Sequence, residues 1–214
     1  MKPASDPTLD YKRLVAQGYD QCAAAYELAR REKTHPEIKW LKKQLPNQAQ
    51  VLDLGCGCGL PVTRELAKRF VVTGVDISAE QIRRARRHVR HATFLHSDIM
   101  ALDFPAASFD AVVALYAIFH LPRGEHDRLF HNLRRWLKPG GYLVATLAQD
   151  PEEPYTEPDF FGVEMYWSHY GMLEYNAMLA EAGFTILSTS LIGHGYGLEA
   201  PVESHPLVIA QARE

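Results

Sequence analysis

The segment VLDLGCGCG at residues 51–59 constrains the fold of this chain more than any other stretch. An apolar run that carries Asp53 breaks into glycines at 55, 57 and 59, and a helical pattern begins at Pro61. A buried strand, a tight turn and a helix that starts near proline give this order of residues. Because glycine tolerates positive φ and has no Cβ, a ligand can lie directly on such a turn, beside unpaired helical N–H groups. The segment therefore predicts a ligand-binding loop.

Two common glycine loops do not fit this segment. The dinucleotide fingerprint G-x-G-x-x-G needs a third glycine where Leu60 stands. The P-loop needs a Lys-Ser/Thr pair where Leu60 and Pro61 stand. The pattern present is D-x-G-x-G-x-G, with a carboxylate two residues before the first glycine. A carboxylate in that position suits a ligand with a cationic ammonium group better than it suits a pyrophosphate.

The D-x-G-x-G-x-G segment resembles motif I of the class I S-adenosylmethionine (SAM)-dependent methyltransferases. Three later segments continue the resemblance: VVTGVD ending at Asp76, SFDAVVALYAIFHL at 108–121 and LKPGGYLVAT at 137–146. The chain is most similar to bacterial small-molecule members of that class, and Cys58 is a departure, because Thr or another small residue is commoner there. The resemblance implies that SAM is the cofactor and that S-adenosylhomocysteine (SAH) is the product.

Periodicity and the resemblance together predict one α/β domain over all 214 residues. We expect a Rossmann-like, doubly wound sheet of seven strands, mostly parallel with a reversed last strand, and an N-terminal helical lid. Residues 1–8 are expected to be frayed, and a loop at 193–206 is expected to join the last two strands. The predicted units are a helical lid (1–48), a cofactor-binding core (49–149), a substrate lid (150–170) and a C-terminal helix and hairpin (171–214).

Acidic residues at the ends of the first three predicted strands are the expected cofactor ligands. Asp53 suits the ammonium group, and Asp76 stands where a carboxylate accepts both ribose hydroxyls. Asp76 and Ser78 also fit the N-cap of the following helix. The resemblance implies that Asp98 accepts from the adenine amino group and that Ile99 packs on the ring. It also implies cofactor contacts in the glycine loop, at two strand ends and in the lid helix: Gly55, Cys56, Gly57, Ile77, Leu115, Tyr19 and Tyr26. The alternative for the two tyrosines is packing on the sheet edge.

The residues after the fourth predicted strand indicate the kind of methyl acceptor. The N/D/S-P-P-aromatic signature of nucleobase amino methyltransferases is replaced by ALYA at 114–117, and the chain contains no Pro-Cys pair. Both absences favour a small molecule over a nucleic acid base. Segment 150–170 contains six acids, no Lys or Arg and a cluster of aromatics, and we expect it to be a long connection without regular pattern that covers the acceptor.

Histidine is the side chain best suited to take the acceptor's proton near neutral pH. His120 follows the fourth strand and His169 lies in the aromatic segment. The alternative for His120 is to anchor the next helix through a ring hydrogen bond, and we expect His126 and His131 to face solvent on that helix. The predicted catalytic residues are His120, His169 and Tyr116, and the predicted acceptor-binding residues are Tyr116, His120, Tyr166, Trp167 and His169.

Charge and composition restrict the remaining partners. The net charge is −3, so no global basic field attracts nucleic acid, and the arginines of segment 83–90 are expected to form a solvated helix face. No apolar run reaches bilayer length, and residues 1–13 lack the core of a signal peptide, so we expect a cytoplasmic protein without a membrane partner. Cys56 and Cys58 are too close for a zinc knuckle, so no metal is expected. Both a monomer and a homodimer are compatible with these residues.

Transfer of a methyl group from SAM to a nucleophilic O, N or S atom of a small molecule is the function that these residues predict. Proximity and alignment supply most of the catalysis, because the sulfonium is already a good leaving group. Two alternatives stay open at this point. One is an RNA or protein methyltransferase, and the other is a protein that binds SAM without catalysis.

Overall fold

The computed structural model of the chain describes residues 10–30, 35–194 and 203–214. The N-terminal residues 1–8, expected to be frayed, and most of the predicted loop 193–206 lie outside these ranges. The helices are α1 (Tyr11–Arg30), α2 (Pro36–Gln44), α3 (Val62–Ala67), α4 (Ala79–His88), α5 (His126–Trp136) and α6 (Met172–Glu181). The strands are β1 (Gln50–Leu54), β2 (Val71–Asp76), β3 (Thr93–His96), β4 (Phe109–Ala114), β5 (Leu137–Thr146), β6 (Glu152–Phe160), β7 (Val163–His169), β8 (Phe184–His194) and β9 (Glu203–Ala212).

Seven strands form the main sheet in the order β3-β2-β1-β4-β5-β9-β8. The pairs from β3 to β5 are parallel, and β9 is antiparallel to both β5 and β8. The predicted doubly wound sheet with a reversed last strand is therefore confirmed. The chain leaves β1 towards one edge of the sheet and returns at β4 on its other side, which creates the switch point where open α/β sheets bind ligands.

Apolar side chains fill the space on both faces of the sheet. Leu52 and Val112 point to a core shared with α5 and α6, whereas Val51 and Val113 point to a core shared with α2 and α3. All four side chains are fully buried. Burying a side chain of this size contributes about 1.5–3 kcal/mol each. The central strands therefore hold the ends of β1 and β4 rigidly at the switch point.

Helix α1 and the β6–β7 hairpin together cover that end of the sheet. They share a small core that contains Val15, Phe160 and Met165. Gly18 allows the close approach of the two elements, since a Cβ there would lie 2.8 Å from Cε of Met165. Asp20 fastens α1 to the start of α4: its Oδ1 accepts from the Ser78 hydroxyl at 2.6 Å and from the N–H of Glu80 at 2.9 Å. The cover is thus packed on one side and hydrogen-bonded on the other.

The expectation that segment 150–170 lacks regular structure is wrong. Residues of β6 and β7 pair antiparallel, and the two-residue turn at Phe161 and Gly162 has φ values of 54° and 81°. Positive φ at both positions is typical of the tight hairpin turns that suit twisted strands. Three prolines and six acids have low strand propensity, and they hide the alternation in this segment. Packing on α1 supplies the stability that the local sequence lacks.

The KPGG segment belongs to β5, and the residues that lead into α5 from Arg123 form a short 3-10 turn. None of the helices in the described part of the chain combines the length and the apolar composition that a membrane span requires.

Candidate active site

The glycine loop lies at the switch point between β1 and α3. Gly55, Gly57 and Gly59 all have positive φ, and a Cβ on Gly55 would lie 2.5 Å from Cβ of Ala117. Glycine at this position therefore meets a steric requirement as well as a conformational one. The N–H groups of Gly55 and Cys56 both donate to the carbonyl of Val75 at 2.8 and 2.9 Å, which fixes the loop against the end of β2.

A cleft opens between this loop and α1. Most of the predicted cofactor residues line it, together with both predicted acceptor residues that follow β4: Tyr19, Tyr26, Gly55, Gly57, Asp76, Ile77, Asp98, Ile99, Leu115, Tyr116 and His120. Asp53 and Cys56 line a smaller adjoining recess on the other side of Gly55 and Gly57. The structure thus brings residues from five separate segments to one place.

Asp76 connects the glycine loop to the start of α4 at the floor of the cleft. Its Oδ2 accepts from the N–H of Gly57 and its Oδ1 accepts from the N–H of Ser78, both at 2.9 Å. Ser78 is the N-cap of α4, and its hydroxyl accepts from the N–H of Gln81. Burial nevertheless raises the pKa of Asp76 to about 6, because desolvation outweighs these hydrogen bonds. Each oxygen keeps a second lone pair that a ligand hydroxyl can reach.

Asp53 lies in the adjoining recess with only 2% of its surface exposed. Its Oδ2 accepts from the Thr63 hydroxyl at 2.6 Å. Burial raises the pKa of this carboxyl to about 7, so a cationic ligand group beside it would favour the ionised form.

Two polar residues that sequence reasoning missed also face these cavities. Arg30 lines the recess beside Asp53 and is 7% exposed, and its guanidinium lies over the rings of Tyr116 at 4.3 Å and Tyr26 at 5.5 Å. Within the described residues its buried Nη1 has no hydrogen-bond partner, and neither amide atom of Gln81, which lines the cleft, has one. A buried polar group without a partner is costly, which makes both side chains candidates for ligand contact. One feature of the sequence could have indicated Gln81, because it is a polar residue next to the apolar inner face of α4.

Asp98 lines the cleft just beyond the end of β3. Its Oδ1 caps the short 3-10 turn Ile99–Ala101 by accepting from the N–H of Met100 at 2.9 Å, and its Oδ2 forms an ion pair with Lys12 of α1. Lys12 also lines the cleft. The predicted contact of Asp98 with an adenine amino group stays a prediction, and it requires a lone pair on an oxygen that already has one partner.

His120 lies on the wall of the cleft and is 7% exposed. Its Nδ1 lies 2.9 Å from the carbonyl of Tyr166, and its Nε2 lies 2.8 Å from the Tyr19 hydroxyl. Because a carbonyl can only accept, Nδ1 carries the proton and donates, and Nε2 accepts from Tyr19. Burial lowers the pKa of His120 to about 4, so this neutral tautomer is the form present at neutral pH. Neither ring nitrogen bonds the helix that follows, so His120 is anchored to β7 and α1 rather than to that helix.

His169 and Trp167 do not lie in this cleft. They line a separate outer cleft with Phe119 and His205, whose aromatic walls also include Phe160 and Phe161. The Trp167 ring packs on the His120 ring at 4.4 Å, so these two side chains form part of the wall between the clefts. Tyr166, the remaining predicted acceptor residue, is buried between the hairpin and α1, where its ring packs 5.4 Å from that of Tyr11.

The expectation that His126 faces solvent is wrong. Its side chain is fully buried at the start of α5, where Nε2 lies 3.1 Å from the Leu121 carbonyl and Nδ1 lies 3.1 Å from the Tyr175 hydroxyl. Burial lowers the pKa of His126 to about 4. His126 thus anchors the start of α5. Its burial could not be predicted from α5 alone, because the side chain that covers it, Tyr175, belongs to α6.

The sheet order, the glycine loop at its switch point and the carboxylate at the end of β2 define a class I methyltransferase architecture. Residues 51–141 match the family model described as a methyltransferase domain. The matched part of the chain is thus a methyltransferase domain, and the fold is that of the class I SAM-dependent methyltransferases.

Named relatives and solved structures agree with this assignment. Over 113 residues the chain is 38% identical to 27-O-demethylrifamycin SV methyltransferase of Amycolatopsis mediterranei, covering 49% of this chain and 41% of the relative. The magnesium protoporphyrin IX methyltransferase of Synechocystis PCC 6803, solved with bound SAM, has a TM-score of 0.71 at 18% identity and covers 97% and 100% of the two chains. A [4+2]-cyclase, SpnF, has a TM-score of 0.74 at 19% identity and covers 98% and 99%.

The reactions of the named relatives cannot be assigned to this chain from these matches. The chain spans about half, or less, of the length of the curated relatives it matches. The two solved structures share the fold, and one of them is named as a cyclase. The reaction of this chain therefore has to be inferred from its own residues.

Asp53→Asn is expected to change how stability depends on pH. The folded chain holds the Asp53 proton up to about pH 7, whereas an unfolded aspartate loses it near 3.8. Wild-type stability should therefore fall between these values by at most ~1.4 kcal/mol per pH unit through this residue, a loss that the variant lacks. Urea unfolding from pH 4 to 8 measures the difference. The variant's advantage should grow up to about pH 7 and then level off; a difference that is flat with pH would contradict the assignment.

Proposed function

We propose that this protein transfers a methyl group from SAM to a nucleophilic O, N or S atom of a small molecule. The observation that carries the proposal is the cleft at the switch point with its adjoining recess, where buried carboxylates and the Arg30 guanidinium, whose Nη1 has no hydrogen-bond partner among the described residues, flank a glycine loop. The names of the relatives support a small-molecule acceptor, since they include enzymes named for rifamycin and protoporphyrin substrates.

The charged groups along the cavities match the parts of SAM in order. Asp76 offers two acceptor oxygens for the vicinal ribose hydroxyls, and Asp98 and Ile99 stand at the end expected for adenine. In the recess, Asp53 suits the ammonium group and Arg30 suits the carboxylate of the methionyl part. The buried Nη1 of Arg30 and the raised pKa of Asp53 are both costs that an amino-acid zwitterion would relieve.

His120 and Tyr19 are the proposed route for the acceptor's proton. When bound, SAM supplies a methyl group on a positively charged sulfur, which loses that charge as the methyl leaves. The Tyr19 oxygen accepts the proton of the acceptor while its own proton passes to Nε2 of His120, 2.8 Å away, against the low pKa that burial gives this imidazole. The bond from Nδ1 to the Tyr166 carbonyl keeps the imidazole aligned throughout. Packing of α1 and the hairpin over the cleft excludes water from this exchange.

The RNA-methyltransferase alternative loses support from the arginine-rich helix α4. Arg83 and Arg84 are paired with Glu80, and Arg86 donates to the Phe94 carbonyl at 3.0 Å. These arginines already have partners in α4 and β3, so fewer cationic side chains are available for phosphate contacts. RNA binding that weakens steeply with salt would reverse this conclusion.

Asp76→Asn should weaken cofactor binding because one of the two acceptor oxygens becomes a donor. Loss of a charged hydrogen bond costs about 1.5–3 kcal/mol, so calorimetry should show SAH binding weakened by about 10- to 100-fold. 5′-Methylthioadenosine, which has the ribose and adenine but no amino-acid part, should weaken by a similar factor. Unchanged affinity for both ligands in a folded variant would remove the ribose assignment. The wild type is the reference, and its failure to bind SAH at all would sink the proposed function.

Arg30→Met should weaken the binding of SAH but not that of 5′-methylthioadenosine. Methionine keeps much of the apolar packing on Tyr116 but removes the charge, so SAH should bind about 10- to 100-fold more weakly. Affinity for 5′-methylthioadenosine, which lacks a carboxylate, should stay within about twofold of the wild type. Equal losses for the two ligands would indicate that Arg30 acts on the shape of the pocket rather than on the carboxylate.

His120→Asn tests the proton route. Asparagine can still donate to the Tyr166 carbonyl but has no acceptor in place of Nε2. With an acceptor found by screening phenols, amines and thiols for SAH release, kcat should fall by about 10²- to 10⁴-fold while SAH affinity stays unchanged. Tyr19→Phe should lower kcat in the same way. Full activity in both variants would show that the acceptor loses its proton elsewhere, and SAH binding without product from any acceptor would favour a non-catalytic protein.

A further inference from the structure

Three side chains with metal-binding atoms meet beside the glycine loop, and two of them, Glu27 and Cys58, also line the recess that contains Asp53 and Arg30. Cys58 comes from the loop itself, Glu27 from α1 and His88 from the last turn of α4. One potential ligand atom of each lies within 4.8 Å of the other two. The sequence argues against a metal on the spacing of Cys56 and Cys58, but this group uses only one of those cysteines and draws its other members from distant segments.

The His88 ring is already oriented for a ligand. Its Nδ1 lies 3.0 Å from the carbonyl of Cys58, which can only accept, so Nδ1 carries the proton. The lone pair is therefore on Nε2, and that atom lies 3.6 Å from Oε1 of Glu27. Metal-binding histidines commonly donate their other ring N–H to a carbonyl in this way, because the hydrogen bond fixes the tautomer and the ring.

One carboxylate oxygen of Glu27 is available to a cation. Oε2 of Glu27 accepts from Nη1 of Arg84 at 2.9 Å, which leaves Oε1 facing His88. Arg84 also donates from Nε to Glu80 at 2.8 Å, so its positive charge is shared between two carboxylates. Cys58 is 4% exposed, and the side chains of Glu27 and His88 are 17% and 27% exposed. The sulfur is thus shielded from water, while an ion can still enter past His88.

We propose that Glu27, Cys58 and His88 form a binding site for a zinc-type transition-metal ion. A thiolate, an imidazole and a carboxylate are ligands that suit zinc, whereas magnesium and calcium prefer oxygen alone. Bonds of about 2.0–2.3 Å in a tetrahedron place ligand atoms ~3.3–3.8 Å apart. The pair at 3.6 Å already fits, and because no pair is wider than 4.8 Å the others have to close by ~1 Å at most. The thiol proton leaves to solvent, and a water molecule takes the fourth position.

Such an ion joins α1, the glycine loop and α4. Helix α1 also carries Tyr19, Tyr26 and Arg30, which line the cofactor cavities. Metal and SAH should therefore each favour the arrangement in which α1 is packed on the loop, and each should raise the affinity of the other by the same factor. This coupling rests on the proposed function, whereas the metal site itself does not.

Cobalt(II) titration of the chelator-treated full chain tests the site. Cobalt bound to a thiolate gives a charge-transfer absorption that oxygen and nitrogen ligands alone do not give. We expect one equivalent to bind with this absorption and zinc to displace it. Cys58→Ser should abolish the band, and His88→Gln should weaken binding by about tenfold or more. The matched controls Cys22→Ser and His91→Gln remove the same residue types from α1 and from the segment just after α4, and both should behave as the wild type.

Several outcomes would overturn the site: no thiolate absorption, a band that persists in Cys58→Ser, or binding that His88→Gln does not weaken. Circular dichroism of the variants checks folding, and His88→Gln, which changes a partly exposed residue, carries the test alone if Cys58→Ser does not fold. A cobalt band in a protein that binds no SAH would support the metal site and contradict the proposed function. In a protein that binds both, an SAH affinity that is unaffected by zinc would overturn the coupling.

Discussion

The carboxylate of Asp76 holds together the three elements that make the site. Through the N–H groups of Gly57 and Ser78 it joins the glycine loop after β1, the end of β2 and the start of α4. The loop glycines would otherwise lose order easily, because glycine has the largest conformational freedom to lose on folding. Parallel pairing of β1 with β2 places that carboxylate opposite the loop, so the sheet register and the binding loop depend on each other.

The cover over the cleft has a small hydrophobic core of its own and packs against the end of the main sheet. Helix α1 and the β6–β7 hairpin share their own core, and Asp20 docks α1 on the N-terminus of α4, where a negative charge is favoured. The residues that face the two cavities from above, Tyr19, Tyr26 and Arg30, therefore move with α1. The lining of both cavities therefore depends on how this helix packs.

The cavities contain polar groups whose burial destabilises the free protein. Asp53 and Asp76 have raised pKa values because burial disfavours their charges, while Nη1 of Arg30 and the amide of Gln81 have no hydrogen-bond partner among the described residues. His120 is kept neutral by the same desolvation. A ligand with complementary charges offsets these costs. Part of its binding free energy therefore comes from giving partners to polar groups that folding has removed from water.

The sequence by itself determined the sheet and the floor of the site. Strand periodicity, the D-x-G-x-G-x-G segment and the acids at the ends of β1, β2 and β3 are local signals, and parallel strands bring their carboxyl ends to one edge. Only the tertiary structure decided that 150–170 is a hairpin, that Arg30 and Gln81 face the cavities, that His169 lines a different cleft from His120, and that His126 is buried. These features depend on which faces of distant elements pack together, and a contact between residues far apart in the chain leaves no periodic trace in either segment.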